Sequence, residues 1–162
     1  MKKLIVSCAL MVITLVSYAQ TYKMYSTRNY HNQLRLNTMT GEVQQIQDDG
    51  QSWIVCSARE ISGDKESRFR LYETQNMWTF ILLDSYNGRL WQVQYSAQDL
   101  DNLFCIPINK YELVSDNENC IFSIQPLTSM YQYYLINDRT GDMWKFQWST
   151  KGDDYRWIEK FK

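Results

Sequence analysis

The chain repeats one unit three times, and this repetition limits the possible folds more than any single motif does. A displacement of 47 residues places YKMYSTRNYHNQLRLNTMTGEVQQIQ on FRLYETQNMWTFILLDSYNGRLWQVQ, and a further displacement of 53 residues places that copy on FSIQPLTSMYQYYLINDRTGDMWKFQ. Such repetition indicates supersecondary units that bury their apolar faces against one another. We predict one domain over residues 20–162, with repeats at about 20–66, 67–119 and 120–162.

Each repeat predicts four antiparallel strands. In the second copy these are RFRLYET, then MWTFILLD, then RLWQVQYS, followed by the shorter LFCIPI; WIVC and RWIEKF are the equivalents of this last strand. The third strand alternates strictly, which places Trp91, Val93 and Tyr95 on one face and Gln92 and Gln94 on the other. The amides recur on this opposite face, as Gln45 and Gln47 in the first copy and Gln92 and Gln94 in the second, and they could line a central channel or meet solvent. Solvent is the expected environment for one face of an alternating strand.

The joint between the second and third strands has the same pattern in every copy: NTMTGE, DSYNGR and NDRTGD. An Asn or Asp side chain accepts hydrogen bonds from the backbone two residues on, which favours a turn. The glycine four positions later, Gly41, Gly88 or Gly141, supplies a positive φ at no steric cost. These glycines are therefore explained by a hairpin and not by a phosphate loop, which would need a helix after it.

Three four-stranded units can be arranged in two main ways. One is a three-bladed, propeller-like arrangement and the other is a β-trefoil. The short link between the first two strands favours a meander, whereas the rarity of three-bladed rings favours the trefoil. We predict an all-β, propeller-like fold, with the trefoil as the alternative.

The N-terminus has the features of a secretory signal. Two lysines precede an apolar run from Leu4 to Val16, and Ser17-Tyr18-Ala19 ends in the small residues of a cleavage site. We predict a signal peptide at 1–19 and a protein exported to the periplasm or the extracellular space. After its removal, no segment approaches the length of a membrane span.

The composition argues against nucleic acid as a partner. Without Lys2 and Lys3, 15 of the 17 basic residues remain against 18 acidic ones, a net charge of −3. Cys56, Cys105 and Cys120 also remain, an odd number that permits one internal disulfide. Cys105 and Cys120 could close a short loop, but the apolar strand sequences around the cysteines favour three small buried residues.

Aromatic and amide side chains are the main candidates for ligand binding. Trp78 and Tyr131 follow the first turn of their copies and are expected to be half exposed, with Asn76 nearby. Aromatic faces beside amides suit sugar rings or a protein partner. The strand-three amides Gln92 and Gln94 complete this set.

Acidic residues after the third strand offer a weaker site. Asp48 and Asp49, Asp99 and Asp101, and Asp153 and Asp154 are equivalent pairs. Asp99 and Asp101 are the candidate ligands for a hard cation such as calcium, although paired aspartates are also ordinary in solvated turns. The single histidine, His31, occupies the position of Trp78 and is interpreted as a polar variant of an aromatic strand position.

The hairpin ILLDSYNGRLWQVQ resembles the blade hairpin of β-propellers of the pyrroloquinoline-quinone repeat type. The whole unit is similar to tandem repeats in small exported bacterial proteins of uncharacterised function. Copy one departs from the pattern with Gln44 in place of tryptophan, and copy three departs at Leu127 and Ser129. The resemblance implies a propeller-like meander and no quinone binding.

These features together favour a non-enzymatic, exported recognition module with a protein or glycan partner and no cofactor. A structural or assembly role in the cell envelope is the first alternative. A hydrolase that uses the loop carboxylates is the second, and it would need two carboxyl groups about 5 to 10 Å apart in a cleft.

Overall fold

The structure, a computed structural model, describes residues 21–97, 99–116 and 121–161. The predicted signal peptide and Cys120 lie outside these residues. Three four-stranded antiparallel sheets follow one another along the chain. The first sheet contains β1 (Tyr22–Ser26), β2 (Asn32–Asn37), β3 (Val43–Gln47) and β4 (Ser52–Cys56). The second contains β5 (Phe69–Glu73), β6 (Thr79–Asp84), β7 (Leu90–Gln94) and β8 (Phe104–Pro107). The third contains β9 (Phe122–Pro126), β10 (Gln132–Asn137), β11 (Met143–Gln147) and β12 (Trp157–Lys160).

Each repeat forms a complete sheet by itself, with its strands in chain order. The all-β, three-bladed, propeller-like prediction is confirmed. The trefoil alternative is wrong, because a trefoil pairs strands of different repeats in one closed barrel, whereas every described ladder here joins strands of the same repeat.

The hairpin prediction is also confirmed, in all three copies. Asn37 Oδ1 accepts hydrogen bonds from the N–H groups of Met39 and Thr40 at 3.0 and 3.1 Å. Asp84 and Asn137 make the equivalent bonds. The glycines that end the three turns have φ values of 79°, 76° and 78°.

The three sheets stack face to face, with the second sheet in the middle. The face of each sheet that points to the next repeat is called its forward face here, and the opposite one its backward face. One apolar cluster joins the forward face of the first sheet (Leu34, Leu36) to the backward face of the second (Leu82, Trp91). Another joins the forward face of the second sheet to the backward face of the third. No hydrophobic cluster of the described residues joins the first sheet to the third.

A disulfide joins Cys56 to Cys105, so the expectation of three unpaired cysteines is wrong. It links the outermost strands of the first and second sheets. The register of β3 with β4 shifts so that Gln44 pairs with Ile54 while Val43 pairs with Cys56. This bulge turns Cys56 from the backward to the forward face, where Cys105 lies opposite. Cys105 is therefore unavailable to Cys120.

One helical turn, α1 (Ala58–Ile61), lies between the first and second sheets and was not predicted. The Ser57 side chain caps it by accepting a hydrogen bond from Arg59 N–H, and Ile61 is buried. Four residues are too few to produce a helical period in the sequence. None of the helices in the described part of the chain has the length and apolar character needed to cross a membrane.

Alanine substitutions at the three equivalent glycines should have graded effects. At Gly141 an added Cβ meets nothing within 4 Å, so Gly141→Ala adds only the strain of a positive φ, about 1 kcal/mol. At Gly88 it would lie 3.0 Å from Leu113 and 3.2 Å from Phe122, and at Gly41 it would overlap the Ile61 side chain. We expect urea denaturation to show the largest loss of unfolding free energy for Gly41→Ala, a smaller loss for Gly88→Ala and the smallest for Gly141→Ala. Three equal losses would contradict this packing.

Removal of the disulfide should destabilise the fold without changing its architecture. The bond closes a loop with a sequence separation of 49 residues, which corresponds to about 4 kcal/mol in the chain-entropy model. We expect the double variant Cys56→Ser/Cys105→Ser to lose most of that free energy in chemical denaturation. The same loss on reduction of the native protein is the control, and an unchanged midpoint would exclude the link.

Candidate functional site

A depression at the junction of the first and second sheets brings together three of the residues singled out in the sequence. Its volume is about 610 Å³. Trp78, Gln94 and Asp99 line it, and the other lining residues are Asn29, Tyr95, Ser96, Ala97 and Asn102. It is called the Trp78 depression below. It lies at the end of the stack where β5 turns into β6 and β7 ends, opposite the glycine turns.

An aromatic pair forms the apolar part of the Trp78 depression. The rings of Trp78 and Tyr95 lie 5.3 Å apart at 53°. Trp78 is partly buried and lies in the turn before β6, where Asn76 Oδ1 accepts a hydrogen bond from its N–H at 2.9 Å. Asn76 therefore stabilises the turn that positions Trp78 and is not itself a lining residue.

Amides and one carboxylate form the polar part. Gln94 Nε2 donates to the carbonyl oxygen of Asn102 at 3.4 Å, and Asn102 Nδ2 donates to Asp99 Oδ2 at 2.8 Å. Asp99 Oδ1 also accepts from Asp101 N–H at 3.0 Å, which caps a 3-10 helix at Leu100–Asn102. This chain of bonds orients the polar side chains before any ligand arrives, and such preorganisation reduces the entropy lost on binding.

Glutamines of the first sheet hold the loop that forms one wall of the Trp78 depression. Gln45 Nε2 donates to the carbonyl oxygen of Ser96 at 2.6 Å, and Ser96 N–H donates back to Gln45 Oε1 at 3.1 Å. Gln47 Nε2 adds a bond to the carbonyl oxygen of Ala97 at 3.3 Å. The wall is therefore built by two repeats together.

The equivalent glutamine, Gln92, joins the second and third sheets, but only as an acceptor of hydrogen bonds. Gln92 is 0% exposed, and its Oε1 accepts from Ser149 N–H at 3.2 Å and from Arg156 Nη1 at 3.4 Å. The expectation that these glutamines face solvent is wrong for Gln45 and Gln92, because the next sheet covers the forward face. Gln92 therefore connects two sheets and does not contact a surface ligand.

The third copy contains a smaller equivalent of the Trp78 depression. Its volume is about 120 Å³, and Tyr131, Gln147 and Trp148 line it in the positions of Trp78, Gln94 and Tyr95. The rings of Tyr131 and Trp148 lie 4.9 Å apart, and Tyr131 is 36% exposed. The half-exposed positions predicted for Trp78 and Tyr131 are confirmed.

The first copy has a hydrogen-bonded pair of polar side chains where the other copies have these aromatic pairs. His31 Nδ1 lies 2.6 Å from Asp48 Oδ2, and both side chains are exposed. The hydrogen bond with His31 holds the pKa of Asp48 below its ordinary value. His31 lies in the turn before β2, not within the strand as expected.

The remaining loop carboxylates act mainly within their own turns. Asp49 accepts hydrogen bonds from Gln51, and Asp153 pairs with Arg156. The described residues contain no group of three or more His, Cys, Asp or Glu side chains that could hold a metal ion. Asp99 and Asp101 belong to no such group, which leaves the proposed cation pair without support from this geometry.

A buried charge cluster lies at the edge of the second sheet. Arg68 is 4% exposed and donates to Asp84 Oδ2 through Nε at 2.9 Å and through Nη2 at 2.7 Å. It also donates to both carboxylate oxygens of Asp116, at 2.8 and 3.0 Å. Burial raises the pKa of Asp84 above its ordinary value, and the bonds from Arg68 act in the opposite direction. Arg68 bridges the two carboxylates at the sheet edge, which gives the cluster a structural role.

No family model, curated protein or solved structure matches this chain. The resemblance to propeller hairpins and to exported tandem repeats therefore stays a prediction, and the function has to be inferred from the geometry above.

Loss of Arg68 should cost much more than loss of its partner. Arg68→Leu leaves Asp84 as a buried, unpaired carboxylate, which costs about 3–5 kcal/mol. Asp84→Asn should cost less, since the equivalent residues Asn37 and Asn137 show that Asn sustains the turn and since Arg68 retains Asp116. The measurement is urea denaturation of both single variants and of the double variant.

The double variant Arg68→Leu/Asp84→Asn is the control, and it should recover most of the stability lost by Arg68→Leu. The loss in Arg68→Leu should also shrink as the pH falls, because protonation of Asp84 removes the buried charge. If Arg68→Leu lowered the unfolding free energy by the same amount in the native protein and in the Asp84→Asn variant, the two side chains would not interact.

Proposed function

We propose that the protein is an exported recognition module that binds neutral oligosaccharides in the Trp78 depression without catalysing a reaction. The observation that carries this proposal is the combination of a partly exposed aromatic ring, packed on a buried one, with preoriented amides, present in the second copy and again in the third. The C–H groups on one side of a pyranose ring pack on an aromatic face, and its hydroxyls exchange hydrogen bonds with amides and carboxylates.

The size and charge of the Trp78 depression support a small polar ligand. A volume of about 610 Å³ falls within the usual range of ligand pockets, roughly 300–1,000 Å³. Among the described residues that line it, Asp99 alone is charged. A carboxylate accepts hydrogen bonds from sugar hydroxyls and repels anionic ligands, which favours neutral over acidic sugars.

Export is part of the same proposal. The Cys56–Cys105 disulfide favours an oxidising compartment, in agreement with the secretory features of residues 1–19. The alternative of a structural role in the cell envelope is favoured by the same observations, and binding experiments separate the two.

Trp78→Ala should abolish most of the glycan affinity. A panel of neutral and acidic oligosaccharides, tested on an array and then by calorimetric titration, should identify neutral binders. Loss of a ring at the centre of a site typically costs about 2 kcal/mol or more, so we expect an affinity loss of at least about thirtyfold. Gln94→Ala should give a smaller loss.

Tyr111→Ala is the matched control, because Tyr111 is an aromatic residue that is 81% exposed and does not line the depression. It should bind like the native protein. Equal losses in Trp78→Ala and Tyr111→Ala would reject the site. Absence of binding to any glycan, together with co-purification of cell-envelope proteins, would instead favour the structural role.

A further inference from the structure

No strand in the described part of the chain covers the forward face of the third sheet. Tyr134, Ile136 and Met143 occupy the positions at which the second sheet buries Ile81, Leu83 and Leu90 against the third. All three remain only partly buried. The face therefore keeps the apolar character of an interface between sheets.

Aromatic residues at the C-terminal edge extend this apolar face. Phe161 is 48% exposed, and its ring meets that of Tyr134 edge-on at 5.4 Å. Trp157 lies beneath the Lys145 ammonium group, which is 5.9 Å from the ring centre. A concavity of about 310 Å³ opens beside them. The open face is defined below as Tyr134, Ile136, Met143, Trp157 and Phe161, together with the charged pair Lys145 and Glu159.

The other end of the stack carries both polar and apolar side chains. On its backward face the first sheet carries Gln33, Arg35 and Gln44, where the second carries Phe80, Leu82 and Trp91. Arg35 donates to Gln44 Oε1 at 2.5 Å and lies over the ring of Tyr22 at 5.4 Å. Polar outer faces are typical of the capping units of repeat proteins. Met24 and Ile54, on the two outer strands of this face, are apolar and are 52% and 58% exposed. The polar side chains of the first sheet therefore lie mainly on its two central strands, where the third sheet has apolar ones.

We infer that the open face of the third sheet is the interface of a symmetric dimer, occupied by the same face of a second copy. Head-to-tail stacking would place the apolar open face against Arg35 and its polar neighbours, and would bury their charge and hydrogen-bonding groups. A two-fold axis instead brings identical apolar faces together.

The charges of the open face suit this arrangement. Lys145 and Glu159 are cross-strand partners in the third sheet. An axis that passes between them places the lysine of each copy opposite the glutamate of the other, so that opposite charges meet across the interface. The face is therefore complementary to itself.

The size of the face sets the expected affinity. Four strands about 4.8 Å apart with about five residues each, at about 3.3 Å per residue, span only some 19 by 17 Å. Such a patch is below the size of standard stable interfaces, so the dimer should dissociate in the micromolar range or above.

Sedimentation velocity from micromolar to millimolar protein tests the inference. The native protein should pass from monomer to dimer, and Phe161→Glu and Met143→Glu should each raise the dissociation constant about tenfold or more. Phe161 is exposed near the chain end, so its substitution should leave folding unchanged. Lys145→Glu should weaken the dimer, and Lys145→Glu/Glu159→Lys should restore it by reversing both charges.

Ile54→Glu is the matched control, because Ile54 is an apolar residue of the first sheet's backward face and is 58% exposed. It should leave the dimer unchanged. Dissociation by both Ile54→Glu and Phe161→Glu would show head-to-tail stacking and would overturn the symmetric dimer. A native protein that is monomeric at every concentration would also overturn it.

Discussion

Burial of the second sheet on both faces is the interaction on which the rest of the structure depends. Leu82 and Trp91 point into the core shared with the first sheet, while Ile81 and Leu83 point into the core shared with the third. Full burial of one such side chain contributes about 1.5–3 kcal/mol. A single four-stranded sheet of this kind has no partner for either face, so each repeat is stable only next to another.

The position of a copy in the stack explains most of its departures from the repeat pattern. Gln44 replaces tryptophan because none of the described strands packs behind the first sheet, and the His31–Asp48 pair replaces an aromatic pair at the same exposed end. The structure attributes these two differences to solvation, and it associates the candidate site with a feature that two copies share.

The sequence predicted the parts of the fold that depend on local chemistry. A hairpin depends on strand alternation and on the Asn or Asp before each glycine, all of which lie within some fifteen residues. The sheets and turns were therefore predicted correctly from the sequence. The burial of Gln45 and Gln92 was missed, because alternation shows that two faces differ but not that a second sheet covers the polar one. The Cys56–Cys105 bond was missed because a one-residue bulge reverses the face on which Cys56 lies.

The candidate site was predictable in its residues but not in its construction. Trp78, Gln94 and Asp99 were selected separately, for aromatic character, for alternation and for charge, and nothing in the sequence showed that they share a surface. They meet because Gln45 of the preceding sheet binds the backbone of Ser96 and holds the loop after β7 in place. The inter-sheet contact that stabilises the stack therefore also shapes the depression.

The loop beside the smaller depression of the third copy is held by a different side chain. Gln45 donates a hydrogen bond to the carbonyl oxygen of Ser96, whereas Arg156 donates the equivalent bond to the carbonyl oxygen of Ser149. A charged side chain thus holds this loop in the third copy, and a neutral one holds it in the second. A repeat that folds by stacking thus produces a similar depression at each junction, and the side chains that hold the loop allow those depressions to differ in size.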